Sequence, residues 1–147
     1  MKKMMTLAIC AMAITFAAPA AAQDRTSSLG PLWNISTIEV LDGHFEEDLG
    51  WLNDRWRGNQ AFAKQQGWIL DYHILSNSDA RDGEADLYLI TRYADEPNVA
   101  EIERRDAVML RRMQTTAVGA EQQSAARGTM RRQMGSMTLR EMLPARR

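Results

Sequence analysis

The chain carries six successive segments whose apolar and polar residues follow the period of a strand or of a helix. Residues 33–41 are rich in β-branched side chains, which is typical of a strand. Residues 44–66 place apolar side chains three and four positions apart, as on one face of a helix. Acidic residues follow His44 in the first turn, and Gly67 closes the segment as a C-terminal cap does. The pattern predicts a strand followed by a long amphipathic helix.

The middle of the chain predicts a β-hairpin. Residues 68–75 and 85–93 both carry the aliphatic and aromatic side chains that strands favour. The segment between them, residues 76–84, is polar and contains Gly83, as loops do.

The last third of the chain predicts a second helix and a final strand. The helix begins at residues 95–97, where a proline occupies the first turn. Gly119 and Gly128 weaken its later part, so we expect the helix to bend or split before Met134. Residues 136–143 then form a short last strand.

The order of these elements, β-α-β-β-α-β, indicates an α+β fold of the ferredoxin-like kind. Such a fold has a four-stranded antiparallel sheet with its helices on one face. Right-handed crossover connections place the first and third strands in the centre of the sheet.

The strands carry apolar residues on both faces, although helices can cover only one of them. An apolar face that remains open on an exported protein usually marks an interface. We therefore expect a homodimer that associates through the sheet. The residues predicted to form its interface are Ile38, Val40, Ile69, His73, Tyr88 and Ile90.

Three segments give the chain a resemblance to a known superfamily. They are the long helix with Trp51 and Trp56, the entry to the second strand at residues 67–72, and the third strand at residues 87–93. Over about residues 33–143 the chain resembles the dimeric α/β-barrel superfamily, and within it small uncharacterised exported members. The resemblance implies two ferredoxin-like subunits stacked sheet to sheet. The superfamily also includes cofactor-free monooxygenases of the antibiotic-biosynthesis type and haem-handling enzymes.

The N-terminus has the pattern of a cleavable secretory signal peptide. Lys2 and Lys3 precede an apolar run over residues 7–18, and residues 20–22 are the small residues of a cleavage site before Gln23. We expect a protein of the periplasm, or a secreted one, with no membrane anchor. The predicted organisation is a signal peptide (1–22), a flexible leader (23–31) and a single domain (32–147).

Removal of the signal peptide changes the composition in two ways. The remaining chain has 16 basic and 19 acidic residues, a net charge of −3, and no cysteine, so a disulfide cannot stabilise it. Its charge is uneven: residues 23–103 contain 6 basic and 16 acidic side chains, and residues 104–147 contain 10 and 3. These are either complementary surfaces of one domain or dimer, or a basic face for an anionic partner. Nucleic acid is not expected as a partner.

His73 and Asp71 are the weak candidates for catalysis, because strand alternation places them on one face, two residues apart. An imidazole beside a carboxylate can act as a general base or orient a substrate. The alternative is a hydrogen-bonded histidine at the dimer interface. His44 with Glu47 and Asp48 has a spacing that could hold a metal, but helix capping explains it, so neither a metal nor a cofactor is expected.

A cluster of aromatic residues could line an apolar pocket between helix and sheet, or fill the core instead. Its members are Trp51, Trp56, Trp68, Tyr72, Phe45 and Phe62. The resemblance to the cofactor-free oxygenases, which have asparagine near the substrate in such a pocket, implies Asn53 and Asn59 as polar contributors. The sequence therefore predicts an exported homodimer that binds an apolar small molecule. The alternatives are a monooxygenase-like or haem-associated enzyme, and a purely structural or stress-related dimer.

Overall fold

A computed structural model describes residues 26–145. The predicted signal peptide and residues 23–25 of the predicted leader lie outside the described part. In chain order the elements are β1 (Ser27–Val40), α1 (Phe45–Trp51), a π-helical turn (Leu52–Trp56), α2 (Arg57–Gln65), β2 (Asp71–Ser76), β3 (Leu87–Tyr93), α3 (Val99–Arg112), α4 (Ala117–Ala126), a 3₁₀ turn (Arg127–Thr129) and β4 (Arg131–Pro144).

The four strands form one antiparallel sheet in the order β2-β3-β1-β4. The α+β class and the four-stranded antiparallel sheet are thus confirmed. The first and third strands are the central ones, as the crossover rule predicts.

The ribbon of β1 and β4 is longer than the sequence predicts. Residues 27–31, predicted to be a flexible leader, belong to β1, and Ser27 pairs with Pro144 at the far end of β4. Backbone pairing does not require alternating apolar side chains, so this polar stretch gave no strand signal. A side chain at Gly30 would lie 3.0 Å from the Leu143 side chain, so the close approach of the two strands favours glycine there.

The predicted first helix is present from Phe45 to Gln65, with the π-helical turn in its middle. Gly67 ends it with a positive φ of 69°, as a C-terminal glycine does.

The second helix begins later than predicted and splits where the sequence gave no glycine. Asn98, and not residues 95–97, provides the N-cap: its side-chain oxygen accepts from the Glu101 amide at 2.9 Å. Gln114, with a φ of 53°, separates α3 from α4. The Thr116 hydroxyl then caps α4 by accepting from the Gly119 amide at 3.1 Å. The side-chain caps of Asn98 and Thr116 thus set the residues at which α3 and α4 begin.

The core lies on the face of the sheet that receives the first helix. Ile38 and Leu87 pair across β1 and β3, and with Leu89 they enclose Leu52 of the π-helical turn. Leu52 and Leu87 are fully buried. Further apolar side chains packed on this cluster are those of Val40, Trp51, Trp56 and Ile74.

Candidate functional site

The opposite side of the sheet, called the open face below, carries a row of apolar side chains from all four strands. Cross-strand pairs place its residues together: Trp33, Ile35, His73, Leu75, Tyr88, Ile90, Met137 and Leu139. Leu75, Met137 and Leu139 are about half exposed, at 51%, 46% and 49%.

The residues predicted for the dimer interface lie on different faces of the sheet. His73, Tyr88 and Ile90 share the open face, but Ile38 and Val40 lie on the other face in the core. Within residues 33–40, 71–75 and 87–93 the alternation agrees with the prediction. The prediction assigned the wrong face of β1 to the interface. The pairing register of β1 and β3 decides which face of β1 lies beside Tyr88 and Ile90, and the sequence pattern does not reveal that register. Trp33 and Ile35 take the places on the open face that were given to Ile38 and Val40.

Ile69, the sixth predicted interface residue, precedes β2 and is buried, with 6% of its surface exposed. It is therefore not available on the surface of the subunit.

One end of the open face carries a polar cluster around Trp33. The indole nitrogen of Trp33 donates to Glu141 Oε2 at 3.2 Å, and the Arg92 guanidinium lies 4.5 Å from the centre of the Trp33 ring. Arg92 and Glu141 also form an ion pair at 3.7 Å. Arg92 Nε is buried and has no hydrogen-bond partner among residues 26–145. Most of the charge at this end is thus paired within the subunit.

Asp71 and His73 do come together on this face, with 3.6 Å between Asp71 Oδ2 and His73 Nε2. Asp71 is held more firmly by Lys64, whose ammonium donates to it at 3.0 Å. That bond, together with a bond from the Tyr72 amide, lowers the pKa of Asp71. The side chains of His73 and Asp71 are 45% and 36% exposed. The pair therefore sits on an exposed strand surface and not in a cavity.

Four of the predicted aromatic residues form two separate pairs. Trp56 and Tyr72 meet edge to face at 5.9 Å between ring centres. Phe62 and Trp68 form a separate edge-to-face pair at 5.6 Å. These pairs fill space between helix and sheet, as the core interpretation expects.

The remaining members of that prediction lie apart from these pairs. Phe45 is 39% exposed, and Asn53 is exposed and accepts a hydrogen bond from Arg57 at 2.8 Å. Trp51 packs on the core and also lines a separate depression, together with Asn59.

That depression, called the helical groove below, lies between the first helix and the C-terminal helices and has a volume of about 930 Å³. Its lining residues are Trp51, Asp54, Arg55, Gly58, Asn59, Arg112, Met113, Gln114, Ala120, Gln123, Ala126, Arg127 and Met130. All of them come from helices or from the turns beside them. Its size is within the range of small-molecule sites.

Beneath the groove lies a buried ion pair. Asp48 is fully buried, and Arg131 donates to its Oδ1 at 3.1 Å. The Arg131 and Arg127 guanidinium groups lie 5.1 and 4.1 Å from the centre of the Trp51 ring. The Trp51 side chain thus packs on the core, lines the groove and contacts two guanidinium groups.

Arg127 is in an unfavourable position for a cation. Burial and the nearby charge of Arg131 lower the pKa of Arg127, and the Asp48 carboxylate opposes this lowering in part. The Arg127 Nε is buried without a hydrogen-bond partner among residues 26–145. Nothing in the sequence pattern distinguishes Arg127 or Arg112 from the other arginines. The excess of basic residues after residue 103 was the signal that pointed to this region.

His44 contacts Glu47 at 2.8 Å on the exposed surface. Within residues 26–145 no three side chains of His, Cys, Asp or Glu lie close enough together to hold a metal ion.

No model of a known protein family matches the chain, and no curated protein sequence is significantly similar to it. Among the described helices none combines the length and the apolar character that crossing a membrane requires.

Proposed function

We propose that this protein is an exported homodimer of ferredoxin-like subunits, stacked through their open faces in the manner of a dimeric α/β barrel, with a small-molecule groove in each subunit. The apolar open face is the observation that supports the dimer. On this face Leu75, Met137 and Leu139 are half exposed, and Ile90, between Ile35 and His73, has 8% of its surface exposed. Stacking a second sheet about 10 Å away is the ordinary way to bury such a face.

The open face is large enough for a stable interface. The strands contain 14, 6, 7 and 14 residues. With a rise of about 3.3 Å per residue and strands about 4.8 Å apart, they cover about 650 Å² of sheet plane. A standard interface buries about 800 Å² on each partner, and side chains raise the accessible area above that of the plane.

Charge also favours a second copy of this chain as the occupant. The charged groups at the edge of the open face have both signs and pair with each other: Arg92 with Glu141, and Lys64 with Asp71. Burial of paired charges costs much less free energy than burial of an unpaired one. Two copies can therefore meet without bringing a net charge into the interface.

The proposal includes export but not catalysis. The signal-peptide pattern of residues 1–22 supports export, and an intact mass that begins at Gln23 is the expected result for purified periplasmic protein. Asp71 and His73 lie on the open face rather than in a cavity, so a place in the dimer interface suits them better than catalysis.

Light scattering on the chain without residues 1–22 tests the dimer. We expect the wild type to have twice the subunit mass at micromolar concentration. Met137→Lys should give a monomer, because it places an unpaired charge opposite Ile35 in the middle of the interface. Val118→Lys is the matched control: Val118 is 62% exposed on α4, and its variant should remain dimeric.

A wild-type monomer at this concentration would contradict the proposed dimer. Dissociation of the Val118→Lys control, with Met137→Lys still dimeric, would place the interface on the helices instead.

A further inference from the structure

We propose that the helical groove binds a small organic anion with an apolar body, such as a medium-chain carboxylate. The inference rests on the small-molecule part of the proposed function and does not depend on the dimer. The proposed ligand carries a negative charge, unlike the apolar molecule that the aromatic residues predict.

The charged residues of the groove favour an anion. Arg55, Arg112 and Arg127 line it, against one acidic residue, Asp54. The Arg112 guanidinium lies 4.6 Å from the centre of the Phe62 ring, and Arg127 has the corresponding contact with Trp51. Aromatic contacts support a guanidinium without neutralising it, and its N–H groups suit a carboxylate.

No carboxylate among residues 26–145 forms an ion pair with Arg127, and the Asp48 carboxylate, which is bonded to Arg131, opposes the lowering of the Arg127 pKa only in part. The buried carboxylate of Asp48 is bonded to Arg131, whereas Arg127 donates to two neutral groups, Gln123 O at 2.9 Å and Ser124 Oγ at 3.1 Å. An anion in the groove would offset the repulsion between Arg127 and Arg131. Burial first, and the charge of Arg131 second, lower the pKa of Arg127, and a bound anion would oppose both effects.

The rest of the groove suits an apolar body. Met113, Met130, Ala120 and Ala126 provide apolar lining, and methionine side chains adapt readily to the shape of a ligand. The volume of about 930 Å³ is far larger than a bare oxyanion requires. The combination of this lining with the arginines indicates an amphipathic ligand.

Isothermal titration calorimetry with three probes tests the ligand class. The probes are decanoate, the uncharged decanol and inorganic phosphate. We expect decanoate to bind more tightly than either of the others, since only decanoate has both the charge and the chain. Arg127→Gln and Arg112→Gln should each weaken decanoate binding about tenfold, as loss of a charge-assisted hydrogen bond does. Arg111→Gln, an exposed neighbour that does not line the groove, should bind as the wild type does.

Equal binding of decanol and decanoate would overturn the anionic class, and phosphate binding as tightly as decanoate would overturn the apolar body. An absence of binding by all three would overturn the site. The same titration on Met137→Lys separates this inference from the dimer, because a folded monomer should keep the affinity of the wild type. Circular dichroism of Arg127→Gln and Arg112→Gln checks that a loss of binding is not a loss of fold.

Discussion

The first helix and α3 are both amphipathic in sequence, yet the first helix is attached to the rest of the molecule in a different way from the C-terminal pair, α3 and α4. In the first helix Leu52 is fully buried among Ile38, Leu87 and Leu89. The C-terminal pair, α3 and α4, has no buried residue, and Val99 and Val118 are 71% and 62% exposed. A helical period therefore predicts that a helix forms, but not how deeply it packs.

Arginine side chains attach α3 to the rest of the protein. Arg105 donates to the Trp68 carbonyl at 3.2 Å and lies 5.6 Å from the Trp68 ring. The Arg112 guanidinium lies over the Phe62 ring, 4.6 Å from its centre. Contacts of this kind contribute about 0.5–1 kcal/mol each at exposed sites, whereas burial of a leucine contributes about 1.5–3 kcal/mol. The C-terminal helices should therefore be the more easily displaced part, which suits one wall of a ligand groove.

The largest effect is expected at the ion pair beneath the groove. Asp48→Ala leaves Arg131 mostly buried without its carboxylate and beside Arg127, so we expect a loss of about 4 kcal/mol in the free energy of unfolding. Urea denaturation measures it. Asp48→Ala combined with Arg131→Met removes both charges and should recover a large part of the loss. A single variant as stable as the wild type would show that the pair does not stabilise the fold.

Removal of a core side chain should have the next largest effect. Leu52→Ala creates a cavity in the main cluster and should lower the free energy of unfolding by about 3 kcal/mol. Val118→Ala on α4 is the matched control and should stay within about 0.5 kcal/mol of the wild type. Equal losses in the two variants, measured by urea denaturation, would remove the distinction between the two regions.

The sequence predicted more of the first helix than of the C-terminal helices, for a physical reason. Periodicity reports burial, so it located the first helix and the two central strands. It gave no signal for residues 27–31, which pair through backbone groups, or for the caps at Asn98 and Thr116. The groove was missed because it depends on which helices meet, and an arginine in sequence looks the same whether it faces water or Trp51.

The smallest effect concerns the attachment of α3 and depends on pH. Glu101 holds Arg104 at 2.7 Å and Arg105 at 2.6 Å. These two bonds, that of Arg104 first, lower the pKa of Glu101 from 4.5 to about 2. Because the folded-state pKa is the lower one, this contribution is complete above pH 4.5 and disappears as the pH falls through about 2.

Glu101→Gln should remove that contribution. We expect the variant to unfold at lower urea concentration than the wild type at neutral pH, and the difference to shrink steadily as the pH falls from 4.5 toward 2. Glu103→Gln, an exposed carboxylate on the same helix, is the control and should show a smaller dependence on pH. A difference that persists at the lowest pH would mean that charge is not what matters at position 101. The orientation of Arg105 toward the Trp68 carbonyl would then depend on the shape of α3, and the contrast between a packed first helix and an electrostatically attached α3 would no longer hold.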